Sequence, residues 1–209
     1  MRAAGHEVFT PTLTGLHERA HLSNPGVGLD THIQDIIGVF ECEDLQQVIL
    51  VGHSSGLMVV TGVAGKVPER IARLVYTDTA IPKDGQSWSD LLGPEVAQHV
   101  LDLTKTEGDG WRIPMVPNSP RQSLYPLKAV MDPLEVKNPA AVQIPRAFIH
   151  CTARSTAEME GWLAPFWPRV NSAAEKAKRQ GWWYRALPTG HGCHLTMPKE
   201  LSELLLELA

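Results

Sequence analysis

The sequence is short of cysteine, has no long apolar run and carries no excess of positive charge. Each shortage excludes a class of protein. Cys42, Cys151 and Cys193 are the three cysteines in 209 residues, and they form no CxxC pair. That spacing indicates neither a disulfide framework nor a zinc site, and the expectation is a reduced, cytoplasmic protein. No apolar stretch approaches the ~20 residues that span a bilayer, so no membrane-spanning helix is predicted. Met1-Arg2-Ala3-Ala4-Gly5 leads into no apolar signal core, which argues against secretion. The net charge of -4 leaves no basic surface for nucleic acid or an anionic membrane. There is no internal repeat and no low-complexity tract. What remains is a chain of 43% hydrophobic and 20% charged residues, the composition of one globular domain.

Proline marks the organisation. Nine of the 16 prolines fall between Pro82 and Pro145. The stretches on either side alternate strand-like and helix-like segments. Residues 1–82 and 146–209 are therefore read as one α/β core, and 83–145 as an inserted, partly helical cap. Strands are predicted at Val8–Thr10, Val48–Val51, Ile71–Tyr76, Ala147–His150 and Trp182–Leu187. Val48–Val51 is apolar throughout, as suits a strand buried on both faces. Asp30 is the expected N-cap of a helix to Cys42 with Ile33, Ile36, Ile37 and Phe40 on one face. Further helices are expected at Leu57–Ala64 and from Pro198 onward, the latter with Leu201, Leu204, Leu205 and Leu208. Such alternation implies a mainly parallel sheet covered by helices on both faces. Arg2-Ala3-Ala4-Gly5 reads as the last turn of a helix with its closing glycine. Four residues cannot nucleate a helix alone, so a missing upstream piece is expected.

Gly52-His53-Ser54-Ser55-Gly56 follows the apolar strand and opens the small-residue helix. This is G-x-S-x-G in a strand–turn–helix setting. The turn crowds the backbone, hence the glycines, and lifts the central hydroxyl above the sheet. Ser54 is the candidate nucleophile, and the Ser55 backbone N–H is the candidate oxyanion donor at the helix start. The alternative is a tight turn that merely needs glycine. A serine needs a base. His191, in the loop after the last strand, is the preferred candidate and His194 its competitor. His53 is expected to point away from Ser54, and His6, His17, His21, His32, His99 and His150 to be surface or structural residues. The base in turn needs a carboxylate. Asp78, at the end of strand 71–76, is preferred, with Glu158 or Glu160 after strand 147–150 as the other location. Asp78 could equally cap a turn, and Glu158 could start a helix over 158–178.

These residues resemble the α/β-hydrolase superfamily, and within it the branch of plant methylesterases, hydroxynitrile lyases and small bacterial carboxylesterases. The resemblance runs through Arg2–Val8, Thr10–Gly15, the Gly52–Gly56 elbow, Val67–Ile71, Ile81–Gly85, Thr189–His191 and Met197–Leu201. It implies Ser54 as nucleophile, His191 as base and the Ser55 N–H as one oxyanion donor. Many members carry the acid after the next-to-last strand, where Cys151–Ser155 has no Asp. Haloalkane dehalogenases are a precedent for an acid at the position of Asp78. The implied activity is hydrolysis of a small carboxylic ester, a carbamate or aromatic ester included, with no cofactor or metal.

Two departures stand out. Leu57 occupies the place of a second glycine after the elbow. Relatives also begin with a further strand and a His-Gly loop that supplies another oxyanion donor. The expectation is accordingly a truncated chain whose sheet has a gap, or in which strands 8–10 and 48–51 pair directly. Losing one donor costs about 10²–10³ in rate, which leaves a non-catalytic binding protein as an alternative. A lyase using a cap lysine (Lys105, Lys128 or Lys137) is another. Trp88, Trp111, Leu91 and Leu92 either shape an apolar pocket or seal the cap. An exposed strand edge would favour a homodimer.

Overall fold

The computed structural model describes residues 1–114 and 123–209. Its central sheet grows from the apolar runs of the sequence. Val48–His53 forms β1, Ile71–Thr77 β2, Arg146–Cys151 β5 and Trp183–Leu187 β6. All are parallel, in the order β1-β2-β5-β6. Parallel neighbours need crossovers. Gly56–Lys66 (α2) links β1 to β2, and Trp167–Arg179 (α7) lies between β5 and β6.

Strand alternation sorts the side chains into two faces. Leu74, Tyr76 and Phe148 join the large core formed with α2, α7 and Leu29–Cys42 (α1). Val75, Ala147, Ile149 and Leu187 face the other way, against Leu201, Leu204, Leu205 and Leu208 of the C-terminal helix Pro198–Leu206 (α9) and its end. The sheet is thus covered on both faces.

Between β2 and β5 the chain leaves the sheet. Trp88–Leu92 (α3), Pro94–Glu107 (α4), the short antiparallel pair Arg112–Ile113 (β3) and Tyr125–Pro126 (β4), and Leu127–Met131 (α5) lie there. Residues 115–122 of the expected cap lie outside the described residues. Trp88, Leu91 and Leu92 are buried in the main core, and Trp88 meets Phe166 edge-to-face at 5.2 Å. They seal this segment onto the sheet layer.

Four expectations are corrected. Val8–Thr10 forms no strand, since no neighbouring strand offers it a ladder. The direct 8–10 pairing is therefore absent, β1 is the edge of the sheet, and the open space expected between the two segments lies beside it. A groove of ≈ 810 Å³ runs along that edge, bounded by His6–Pro11, β1 and Leu205, and leaves Val51 40% exposed. The N-cap of α1 is Gly28 rather than Asp30. Asp132, from the segment between β2 and β5, accepts the Leu29 N–H at 3.0 Å, while Asp30 pairs with Lys66 at 2.7 Å. The single helix expected over 158–178 is two, Thr156–Glu160 (α6) and α7, interrupted at Gly161 and restarted with Pro168 in the first turn. Among the described residues no helix is long and apolar enough to cross a membrane.

Candidate active site

Ser54 stands where β1 turns into α2. Its φ of 52° is left-handed, a conformation costing of order 1 kcal/mol for a residue with a Cβ. The surroundings hold it there. The Ser54 N–H donates to the Thr77 carbonyl at 3.4 Å, and Thr79 Oγ1 donates to the Ser54 carbonyl at 3.0 Å. The elbow is thereby tied to the end of β2. A Cβ on Gly52 would come within 2.5 Å of Val60 Cγ2, so glycine is needed at that position. Gly56 differs from expectation. A Cβ there would meet nothing within 4 Å, because it faces the open groove along β1. Ser55 is the N-cap residue of α2, which leaves its N–H among those without an intrahelical acceptor.

Asp78 follows β2 and is fully buried. Its carboxylate accepts four hydrogen bonds: from the Cys151 N–H at 3.1 Å, from Arg154 Nη1 and Nη2 at 2.9 and 3.0 Å, and from His191 Nδ1 at 2.8 Å. Burial by itself would raise this acid. The hydrogen bonds from His191 and Arg154, with the guanidinium charge, outweigh it and hold the carboxyl near 2. Arg154 lies 4.2 Å above the Trp167 ring, which fixes the guanidinium plane.

His191 is therefore the histidine that reaches Asp78; its competitor His194 makes no such contact. With Nδ1–H given to the carboxylate, Nε2 keeps its lone pair for a proton from outside. Ser54 Oγ makes no hydrogen bond to His191 here, and contacts of this kind tighten in substrate complexes. Glu158, the other candidate acid, binds the main chain instead. Its Oε1 accepts the His191 N–H at 2.6 Å, and its Oε2 accepts from Ser155 N–H and Oγ. A Cβ on Gly190 would collide with that carboxylate, so glycine lets the loop close onto it. Glu160 makes no contact with the pair. His53 packs against His191. Its Nε2 donates to the His191 carbonyl at 2.8 Å, and the two rings lie 4.5 Å apart. His32 and His150 are structural: His32 bonds Thr14, and His150 bonds Tyr184 and Asn171.

Arg154 and Tyr125 were not singled out from sequence. Arg154 had one available signal, since it lies in the segment where an acid was sought and not found. Tyr125, on β4, reaches the Ser55 side chain, and burial pushes its phenol up to about 12.

The site contributes to the acid sensitivity of the fold. Asp78 titrates near 2 when folded against an ordinary 3.8, so its stabilisation is complete above the unfolded value and is lost as pH falls through about 2. Burial, with the His191 neighbour, lowers His53 to about 4 from 6.5, so the unfolded chain takes that proton first. Both groups bind more protons unfolded, so stability falls with falling pH from about 6.5 downward. The Asp78 share is about 2 kcal/mol. Thermal melts between pH 7 and 3 should show a midpoint that declines throughout; a flat midpoint from 6.5 to 4 would contradict the placement of His53.

No protein-family profile matches the chain. A carbendazim-hydrolyzing esterase from Nocardioides sp. is 50% identical over 105 residues, covering 48% of this chain and 43% of that protein. The chain thus spans under half of that curated relative. Two solved structures superpose over nearly all of the chain. An extracellular alpha/beta-hydrolase from a Paenibacillus species, described as sharing structural and functional homology with tobacco salicylic acid binding protein 2, has a TM-score of 0.79 at 24% identity, covering 100% of this chain and 89% of that one. A pyrethroid hydrolase from Sphingobium faniae has a TM-score of 0.72 at 20% identity, covering 99% and 87%.

Proposed function

We propose that this chain, which has the α/β-hydrolase fold, hydrolyses a small carboxylic ester through an acyl-enzyme on Ser54. The observation that carries the reading is the buried Asp78–His191 pair, 2.8 Å long, in the same site as a serine held at φ 52°. In this mechanism Ser54 Oγ attacks the ester carbonyl and its proton passes to His191 Nε2. Asp78 holds the imidazole in the Nδ1–H tautomer and stabilises the imidazolium. The Ser55 N–H donates to the tetrahedral oxyanion. The oxyanion collapses, the C–O bond to the alcohol breaks, and the alcohol leaves with the proton from His191. Water then repeats the sequence and releases the acid. Arg154 and Glu158 are positioning residues, one on the Asp78 carboxylate and one on the His191 main chain.

The Nocardioides relative supports a carbamate or aromatic ester as substrate class. Free thiols at Cys42, Cys151 and Cys193 support a reducing, cytoplasmic setting. The lyase alternative finds no lysine at the elbow: Lys105 pairs with Asp102, Lys128 with Asp132 and Lys137 with Glu135.

The test is labelling of the folded chain with a fluorophosphonate probe, beside turnover of p-nitrophenyl acetate and carbendazim. Label on Ser54 with release of p-nitrophenol is expected. A folded chain that takes up no label contradicts the reading. It would favour a binding protein, for which the open edge of β1 is the supporting observation.

A further inference from the structure

Two histidines and a cysteine that the proposed reaction does not use meet beside His191. His53 precedes the nucleophile on the elbow. Cys193 opens the short helix Cys193–Thr196 (α8), is buried, and donates its N–H to the His191 carbonyl at 2.9 Å. His194 follows it and is exposed, with its ring 5.2 Å from that of His53. One ligand atom from each of His53, Cys193 and His194 lies within 4.8 Å of the other two.

We propose that His53, Cys193 and His194 form a binding site for a borderline-soft divalent cation, zinc being the probe. Metal–nitrogen and metal–sulfur bonds of about 2.0–2.3 Å at tetrahedral angles place ligand atoms about 3.3–3.6 Å apart. Atoms up to 4.8 Å apart need a contraction of up to about 1.5 Å to reach that spacing, to which rotation of the exposed His194 contributes. Two imidazoles and a thiolate select zinc-like ions over magnesium or calcium, which prefer oxygen. The His53 Nε2–H is already committed to a main-chain carbonyl. That leaves Nδ1 as its lone-pair nitrogen, the way metal-binding histidines are commonly oriented. On binding, the Cys193 Sγ–H bond breaks, its proton goes to solvent, and the sulfur pair forms the bond to the cation; nothing is oxidised or reduced. Three protein ligands leave a fourth position for water. Cysteine spacing alone indicates no such site, because His53 lies 140 residues before Cys193 in the sequence.

Binding is separable from hydrolysis, so the test does not depend on the proposed esterase activity. Reduced protein carrying Cys42→Ser, which removes the exposed thiol, is titrated with zinc against a chromophoric chelator. Cobalt(II) is then used to read the thiolate-to-metal charge-transfer band. One equivalent of zinc and a clear band are expected, both unchanged by Ser54→Ala. Cys193→Ser should abolish the band, and His194→Ala, at an exposed position that folding does not need, should weaken zinc binding by about ten-fold or more. The proposal is overturned if the parent shows no band, if the band survives in folded Cys193→Ser, or if His194→Ala binds as tightly as the parent. Loss of binding in His191→Ala but not in His194→Ala would equally overturn it, by placing the ion on the catalytic pair.

Discussion

Ser54→Ala is expected to lower kcat for p-nitrophenyl acetate by about 10⁵–10⁶-fold, and His191→Ala by a similar factor. The proposed nucleophile and base act as one unit, so the double variant should be no slower than either single one. The small remainder over water would come from the Ser55 N–H and from substrate binding alone. Neither substitution should unfold the protein. Ser54 is part-buried, and its turn is held through its own main chain, which donates to the Thr77 carbonyl and accepts from the Thr79 hydroxyl, bonds that alanine retains. Initial rates of the purified single and double variants, with circular dichroism as the folding check, decide the matter. Multiplicative losses, or Ser54→Ala with parental activity, would contradict a shared acyl-enzyme mechanism.

Asp78→Asn is expected to act on rate and stability together. The amide removes the charge that stabilises the imidazolium and, by presenting N–H toward Nδ1, favours the wrong tautomer. A loss of about 10⁴ in kcat follows. The same change leaves the Arg154 guanidinium, whose side chain is 7% exposed, buried without its carboxylate. Breaking a buried pair from one side costs about 3–5 kcal/mol. The two consequences separate in the double variant Asp78→Asn/Arg154→Met. Removing the orphaned charge should restore most of the stability, because methionine fills the apolar volume over Trp167. It should restore none of the rate, because His191 still lacks its carboxylate. Denaturant titration and steady-state kinetics on the three variants read the two effects independently. Recovery of rate in the double variant would show that Asp78 serves the structure alone.

Much of this molecule was legible from local pattern. Apolar runs at Val48–Val51, Ile71–Tyr76 and Ala147–His150 became neighbouring parallel strands. The strand–turn–helix at Gly52–Gly56 formed as its spacing predicts, and α1 buries Ile33, Ile37 and Phe40 as its periodicity requires. These features depend on residues a few positions apart, and sterics and amphipathicity act at that range. The same reasoning overestimated Val8–Thr10, because β-propensity makes a strand only where a neighbouring backbone offers a ladder.

The sequence by itself determined the strand-and-helix order, the elbow bearing Ser54, and Asp78 and His191 as candidates among several acids and histidines. Only the tertiary structure showed which of them meet. It placed His191, 113 residues from Asp78, against the buried carboxylate, and sent Glu158 to the loop's main chain. It brought Arg154 under Asp78 and His53 against His191, and gathered His53, Cys193 and His194. The reason is physical. A hydrogen bond has a reach of about 3 Å, and which distant groups come that close is set by how the strands order and the helices pack.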